Sequence, residues 1–351
     1  MARTMRSSNP GTAVSPLPNP ALPQALQRER QGVLLMVAGG LLLGSIGAFV
    51  EDAGQDPLTT VWFRCAFGML ALLAWGAASS RLAELRLRGT AFAAALAASA
   101  LMLGNWALFF ASITRTSIGV ATVVFHVQPL WVLALGAWWL REPVSWRQAA
   151  AALAALAGLA LATGLLDAGA TGHLQQPGYL SGLAMCLGAS LCYAGVTLIA
   201  KQARGISSFA LAWWQCALGT LALLAWPVLH GWPAFGSSWA WLAGLGVIHT
   251  GLAYVLLYAG MTRLATSRIA LLQFVYPAAA IVMDWAVYGH ALSAVQLAGV
   301  ALMATALTAA RPGVMRAFCA RPKPATPAVE KQAIARSTAS RQSPCGRQTG
   351  A

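Results

Sequence analysis

Between residues 32 and 310 the chain offers almost no stretch from which a water-facing surface could be built. Ten apolar runs follow one another, at 32–50, 58–77, 90–112, 117–140, 148–166, 179–200, 207–229, 239–261, 267–288 and 293–310. A hydrocarbon core of roughly 30 Å is crossed by about 20 such residues in a helix. Backbone groups in lipid must be satisfied within their own segment, which leaves helices as the form for apolar runs of this length. The sequence therefore predicts an all-α integral membrane protein of ten transmembrane helices. Only 9% of its residues are charged, where a soluble domain carries about a quarter.

The formal net charge of +14 would suit a nucleic-acid partner if the basic residues were gathered on one surface. They are instead sorted by topology. With the N-terminus inside, the cytoplasmic connections and their edges hold Arg81, Arg86, Arg88, Arg141, Arg147, Lys201, Arg204, Arg263 and Arg268, and the outer ones hold Arg115 alone. Glu51, Asp52, Asp56 and Asp167 fall outside. Basic residues remain cytoplasmic in short loops, so both termini are read as cytoplasmic, in a cell (inner or plasma) membrane. No nucleic-acid partner is expected.

Residues 1–31 and 311–351 are polar, Pro-containing and basic, and read as disordered cytoplasmic tails that could touch anionic lipid. The first run resembles a secretory signal in position, yet it is long and no small-residue cleavage site precedes Glu51. Residues 167–178 read as an external linker.

The stretch 114–142, TRTSIGVATVVFHVQPLWVLALGAWWLRE, returns 148 residues later as TRLATSRIALLQFVYPAAAIVMDWAVYGH at 262–290. Thr114/Thr262, Arg115/Arg263 and Pro129/Pro277 share that offset, as do Gly40/Gly188, Gly47/Gly195 and Gln148/Gln296. The second and seventh runs align at 151, through Cys65/Cys216, Gly68/Gly219 and a shared LALLAW. Collinear matches over this length mean two copies of one unit, 32–166 and 179–310. Five spans per copy is an odd number, so the second copy enters from the opposite face. Such inverted repeats place a site near the midplane, at the repeat interface.

These residues resemble a family. The duplicated five-helix unit, the join LREPVSWRQAAAALAALAGLAL after Trp138 and Trp139, and its counterpart HALSAVQLAGVALM are similar to the paired EamA repeats of the drug/metabolite transporter superfamily. The resemblance covers about residues 32–310. It implies a carrier of small organic metabolites, often an exporter, with a central cavity lined mainly by the third, fourth, eighth and ninth spans. The copies differ at the join, where Glu142 and Pro143 face His290 and Ala291 in the alignment.

Polar residues inside a span are costly unless they face protein or a watery cavity. His126 and Gln128 lie near the midplane of the fourth span, at a depth of roughly 13–17 Å given 1.5 Å per residue. Gln273 and Tyr276 reach similar depth on the ninth. Pro129 and Pro277 each remove a backbone donor and mark a helix break. These six residues form the expected substrate site, the alternative being plain interhelical hydrogen bonding. Asn105, Trp106, Tyr193 and Tyr254 are further lining candidates, with Trp106 and Tyr254 at equivalent positions of the two copies. His126 and His249 are candidate proton carriers. Arg64 and Asp284 are the two strong charges well inside spans. They are read either as reaching the outer interface or as lining an outer vestibule, paired with each other or bound to a charged substrate group.

Other features read as architecture. Trp62, Trp75, Trp138, Trp139, Trp146, Trp226, Trp232 and Trp239 fall near span ends, where indoles prefer the headgroup region. Cys65, Cys186, Cys192, Cys216, Cys319 and Cys345 show no CxxC spacing and are read as free thiols, with no metal or cofactor. The pairs Gly40/Gly44 and Gly178/Gly182 permit close helix approach, which makes no case for a homodimer. No HExxH, GxSxG or Walker A motif occurs, so an enzyme is not expected. The expected function is secondary-active or facilitative transport of an amino acid, amine or drug-like solute by alternating access. A receptor or scaffold built on the same fold, and more distantly an intramembrane enzyme, are the rival readings.

Overall fold

The computed structural model describes residues 21–116, 118–163, 178–202, 205–289 and 292–309. The chain divides into units Met1–Leu307 and Thr308–Ala351, and the architecture below is that of the first. Residues 1–20, 311–351, nearly all of the 167–178 linker, Arg204, His290, Ala291, Cys319 and Cys345 lie outside the described residues.

Helices α1 (Ala21–Gly44) and α2 (Ile46–Ala53) form the first span, broken at Ser45. The N-terminal part corrects the reading of 1–31 as disordered, because residues 21–31 are the first turns of α1. Their sequence, ALPQALQRERQ, is rich in good helix formers. It is also tied down, by an Arg28 bond to the Thr262 carbonyl at 3.4 Å and an Arg268–Glu29 ion pair at 3.1 Å.

The second and third spans are α3 (Pro57–Ala78) and α4 (Gly89–Ile113). Asp56 caps α3, accepting from the backbone N–H groups of Leu58 and Thr59, with Pro57 at the first helical position. The fourth span is split into α5 (Ile118–Phe125) and α6 (Gln128–Trp139), and α7 (Trp146–Ala162) follows. In the second half come α8 (Tyr179–Gln202), α9 (Ser208–Ala222) and α10 (Ala225–His230). The eighth span is continuous from α11 (Ser237–Gly244) through a π-helical stretch, Leu245–Leu252, into α12 (Ala253–Met261). The ninth is split like the fourth, into α13 (Thr266–Leu272) and α14 (Val275–Tyr288), and α15 (Ala294–Ala309) is the last.

Eight of these stretches are long and apolar enough to cross a membrane. The fifth and tenth, α7 and α15, are apolar but shorter, so ten full spans is more than helix length supports. No strand occurs among the described residues. The exterior is apolar, with Leu70, Leu96, Leu153, Leu180, Leu221 and Val282 exposed, as a lipid-facing surface requires.

The two halves pair crosswise. Helix α4 runs along α8 and α1 along α12, which is the same contact with the halves exchanged. In the same way α6 meets α8 while α1 meets α14, and α3 crosses α9 between equivalent helices. Small residues set these approaches. Gly40 faces Val275 and Gly44 faces Ala279, so the first glycine pair seats α14 on α1 within the chain. Gly182 likewise takes Arg115 and Thr116.

Candidate functional site

Each split falls two or three residues before a proline. In the fourth span the ladder gives way after Phe125 to short-range turns, Val127 N–H bonding to Val124 O at 3.1 Å and Leu130 N–H to Val127 O at 2.9 Å. Pro129 stands in the first turn of α6 and Pro277 in the first turn of α14. Proline lacks the N–H that would continue an i to i−4 ladder, and its ring crowds the carbonyl four residues earlier. The breaks free side chains at 126–128 and 273–276 to converge.

They meet on α8. Gln128 Nε2 donates to Thr197 Oγ1 at 3.4 Å, and Gln273 Nε2 donates to the same oxygen at 3.1 Å. Thr197 in turn donates to the Tyr193 carbonyl at 3.0 Å. One hydroxyl has one donor and two acceptor lone pairs, so Thr197 is saturated. It binds the broken fourth span, the broken ninth and α8 at one atom. Gln273 Oε1 is left buried without a donor, as is Asn105 Oδ1 on α4. Such atoms are rare in native interiors and mark places where a further group is wanted.

His126 is buried at the α5–α6 break, its Nδ1 2.6 Å from the Thr122 carbonyl. A carbonyl can only accept, so Nδ1 carries the proton and Nε2 is the acceptor of the neutral ring. The imidazole stacks on Tyr276 at 5.8 Å between centroids and lies near Phe274 at 6.3 Å. Phe125 joins the cluster, 5.9 Å from the Tyr193 ring. Trp131 donates to Ser190 at 3.1 Å, a second tie from α6 to α8. The structure thus gathers His126, Gln128, Gln273, Tyr276 and Tyr193 into one region.

His249 belongs to a different cluster. It lies on the π-helical stretch, 2.9 Å from Ser45 Oγ at the break in the first span, with its ring against Phe49. Arg64 is next to this region and only 7% exposed, so its side chain does not reach an interface. Its Nε donates to Thr250 Oγ1 at 3.2 Å and its guanidinium sits 5.7 Å from the Trp106 ring, with Tyr254 close by. Asp284 is exposed, and Arg64 has no carboxylate at ion-pair distance among the described residues. Pairing of Arg64 with Asp284 is therefore corrected: the two sit in opposite environments, one facing the interior and one the exterior.

Thr197, Ser190, Ser45, Thr250 and Gln215 were not singled out by sequence. Hydroxyls in spans often satisfy their own helix, as Ser99 does on Ala95 O at 2.8 Å. The available signal lay in the repeat alignment, which sets Gln215 opposite Arg64 and Ser45 opposite Tyr193.

At one end of the bundle a cavity of about 760 Å³ opens between the starts of α1 and α4 and the ends of α6, α8 and α12, with Arg28, Thr90, Trp139, Lys201 and Thr262 on its wall. Beside it Glu142 accepts from Lys201 Nζ and, at 2.8 Å, from the Thr266 backbone N–H, while Lys201 also donates to Thr266 Oγ1 at 2.8 Å. The carboxylate sits at the N-terminus of α13 and the ammonium at the C-terminus of α8, each where the helix dipole favours it. Partial burial works against ionisation of Glu142, yet the hydrogen bonds from Lys201 and Thr266 outweigh it and hold the carboxyl below the usual range. Cys65, Cys186, Cys192 and Cys216 are free, and no group of metal ligands occurs among the described residues.

The model of the EamA-like transporter family matches residues 30–164 and again 180–310. "Uncharacterized transporter YxxF" of Bacillus subtilis (strain 168) is 29% identical over 281 residues, covering 79% of this chain and 88% of the relative. An "Uncharacterized transporter" of Archaeoglobus fulgidus is 26% identical over 278 residues, covering 78% and 94%. A crystal structure titled only as that of a protein superposes with a TM-score of 0.71 at 19% identity, over 81% of this chain and 98% of its own, which speaks for the fold alone.

Proposed function

Because the chain belongs to the EamA-like transporter family and is a multi-pass membrane transporter, we propose that it carries a small organic solute outward by alternating access, through a site between the fourth and ninth spans. The observation that carries this reading is the convergence of both glutamines on Thr197 beside the unsatisfied Gln273 Oε1. A cargo N–H or O–H donor would complete that atom. The neighbouring His126, Tyr276 and Phe125 rings would hold an apolar or planar body.

The repeats are inverted in this reading, ten helices cross or enter the membrane, and the two halves exchange roles as the site turns from one face to the other. In this reading the connections rich in basic residues are cytoplasmic, and the cavity beside Lys201 is the inner mouth through which cargo would load. His126 is the candidate proton carrier at the site itself, and His249 the candidate beside Arg64.

Flux in proteoliposomes tests the proposal, with pooled amino acids, amines and related metabolites, with and without an imposed pH gradient. We expect at least one solute to move with the wild type and to slow by tenfold or more in His126→Ala and Gln273→Ala. A folded preparation that moves nothing across a broad panel would turn the assignment toward a receptor or scaffold. Flux unchanged by the pH gradient would remove both histidines as proton carriers.

A further inference from the structure

The two copies are unlike at one buried position. The alignment that sets Cys65 on Cys216 and Gly68 on Gly219 sets Arg64 on Gln215. Gln215 is neutral and satisfied within the protein, accepting from the Tyr258 hydroxyl and donating to the Ala98 carbonyl at 3.5 Å. A polar tie between helices at this point of the unit therefore needs no charge. Arg64 brings one, and buries it.

No acid of the described residues compensates that charge. Glu29, Glu84 and Glu142 pair with Arg268, Arg81 and Lys201, Asp56 caps α3, and Glu51, Asp52 and Asp284 are exposed. The guanidinium uses Nε on Thr250 and keeps the Tyr254 hydroxyl and the Trp106 face beside it. These groups orient the fork but leave its charge unmet. A cation held in an apolar interior is expensive without an anion, and in a membrane span it marks a ligand path more often than a strut. A planar fork flanked by aromatic faces suits a carboxylate, taken by two parallel hydrogen bonds.

We propose that Arg64 anchors the cargo, binding the carboxylate of an organic acid, with Trp106 and Tyr254 flanking that end of the molecule while its body extends to the site between the fourth and ninth spans. The proposal rests on the carrier reading and narrows it to solutes bearing an anionic group. It also explains the asymmetry between the copies, since one cargo anion requires one cation, and the equivalent position in the other half is free to be neutral.

The test compares carboxylates with their amides on the purified full chain in chloride-free buffer. Isothermal titration would use benzoate against benzamide, indole-3-acetate against indole-3-acetamide, and phenylalanine against phenylalaninamide. We expect at least one acid to bind the wild type tenfold or more tightly than its amide, and that preference to fall to within twofold in Arg64→Gln and to persist in Arg64→Lys. Equal binding of acid and amide, no binding by any acid, or a preference that survives Arg64→Gln overturns the proposal. Should Arg64→Gln fail to fold, the wild-type preference together with Arg64→Lys decides. Flux of the same compounds separates the two readings. Solutes carried without regard to their carboxylate would leave the carrier standing and remove the anion anchor, whereas acids bound through Arg64 but never moved would do the reverse.

Discussion

Cys65 on α3 lies directly against Gly219 on α9, and the reciprocal contact sets Cys216 against Gly68. A side-chain carbon on Gly219 would fall 2.6 Å from Cys65 Sγ, and one on Gly68 would fall 3.1 Å from Cys216 Sγ and from the Gly246 carbonyl. The matched cysteines and glycines at an offset of 151 are thus one contact made twice across the pseudo-twofold relation of the halves.

Gly219→Ala should overpack this seam at a cost of about 1–3 kcal/mol, seen as a lower unfolding temperature of the purified protein in detergent. Because the clash is with one sulfur, Cys65→Ala in the same molecule should return most of the loss. Residues in contact couple, so the double variant should be less damaged than the sum of the single ones. Additive losses would show that the two do not share this seam.

Thr197 is the second test of packing against function. Thr197→Val keeps the shape and removes the oxygen on which Gln128 and Gln273 meet. Interhelical hydrogen bonds in membranes average about 0.6 kcal/mol and reach about 1.7, so stability should fall only modestly. Flux should fall at least tenfold, because the two broken spans lose their common reference point, and Thr197→Ser should restore it. A variant that unfolds as the wild type does and transports as the wild type does would remove Thr197 from the site.

Much of this was legible in the sequence because it repeats. Apolar length gave the helices, and the shared prolines located both breaks within a residue or two. The side chains at those breaks did converge, since a break near mid-span leaves few other places for polar groups to go. What the sequence hid were partners whose own chemistry is ambiguous. A threonine in a span most often bonds its own helix, so Thr197 carried no separate signal. For Arg64 two readings stayed open for a related reason: an arginine about six residues from a span end is long enough to snorkel, and only the packing of Thr250 and Trp106 around it shows that it turns inward. The start of α1 was missed because its charges read as a tail until Arg268 and Thr262 are seen to hold them.

The matched Gln148 and Gln296 acquire a physical reason as well. Ser145 and Gln148 form a capping box at the start of α7, and Ser293 and Gln296 make the same pair of bonds before α15, at 2.9 and 3.2 Å. Ser145→Ala and Ser293→Ala should each cost about 1 kcal/mol by thermal unfolding. The loss should be larger at Ser145, because Gln148 also donates to Ser267 at 2.9 Å and would lose its orientation. Equal losses would mean that this longer tie to α13 contributes nothing.

Glu142 offers the pH test, and its sign follows from the direction of its shift. The folded state holds this carboxyl below the ordinary glutamate range through Lys201 and Thr266, against the opposing effect of burial. A depressed carboxylate stabilises the folded arrangement above its unfolded pKa and loses that contribution as pH falls through the lower folded value. The tie between the α6–α7 join, the end of α8 and the start of α13 should therefore hold across neutral pH and loosen only in acid below the ordinary glutamate range. Hydrogen exchange at Thr266–Leu272, read by mass spectrometry and corrected for intrinsic pH dependence, should show protection that is steady at neutrality and lost in acid. Glu142→Gln should remove the pH dependence and expose the segment at every pH, while Lys201 keeps its weaker bond to Thr266. The same variant should change the rate of transport more than the affinity for cargo, because the tie joins helices of both halves at the mouth of the cavity and must open or shift when the site changes face. Protection and transport rate both unaffected by Glu142→Gln would reduce the triad to a surface ornament of the cavity wall.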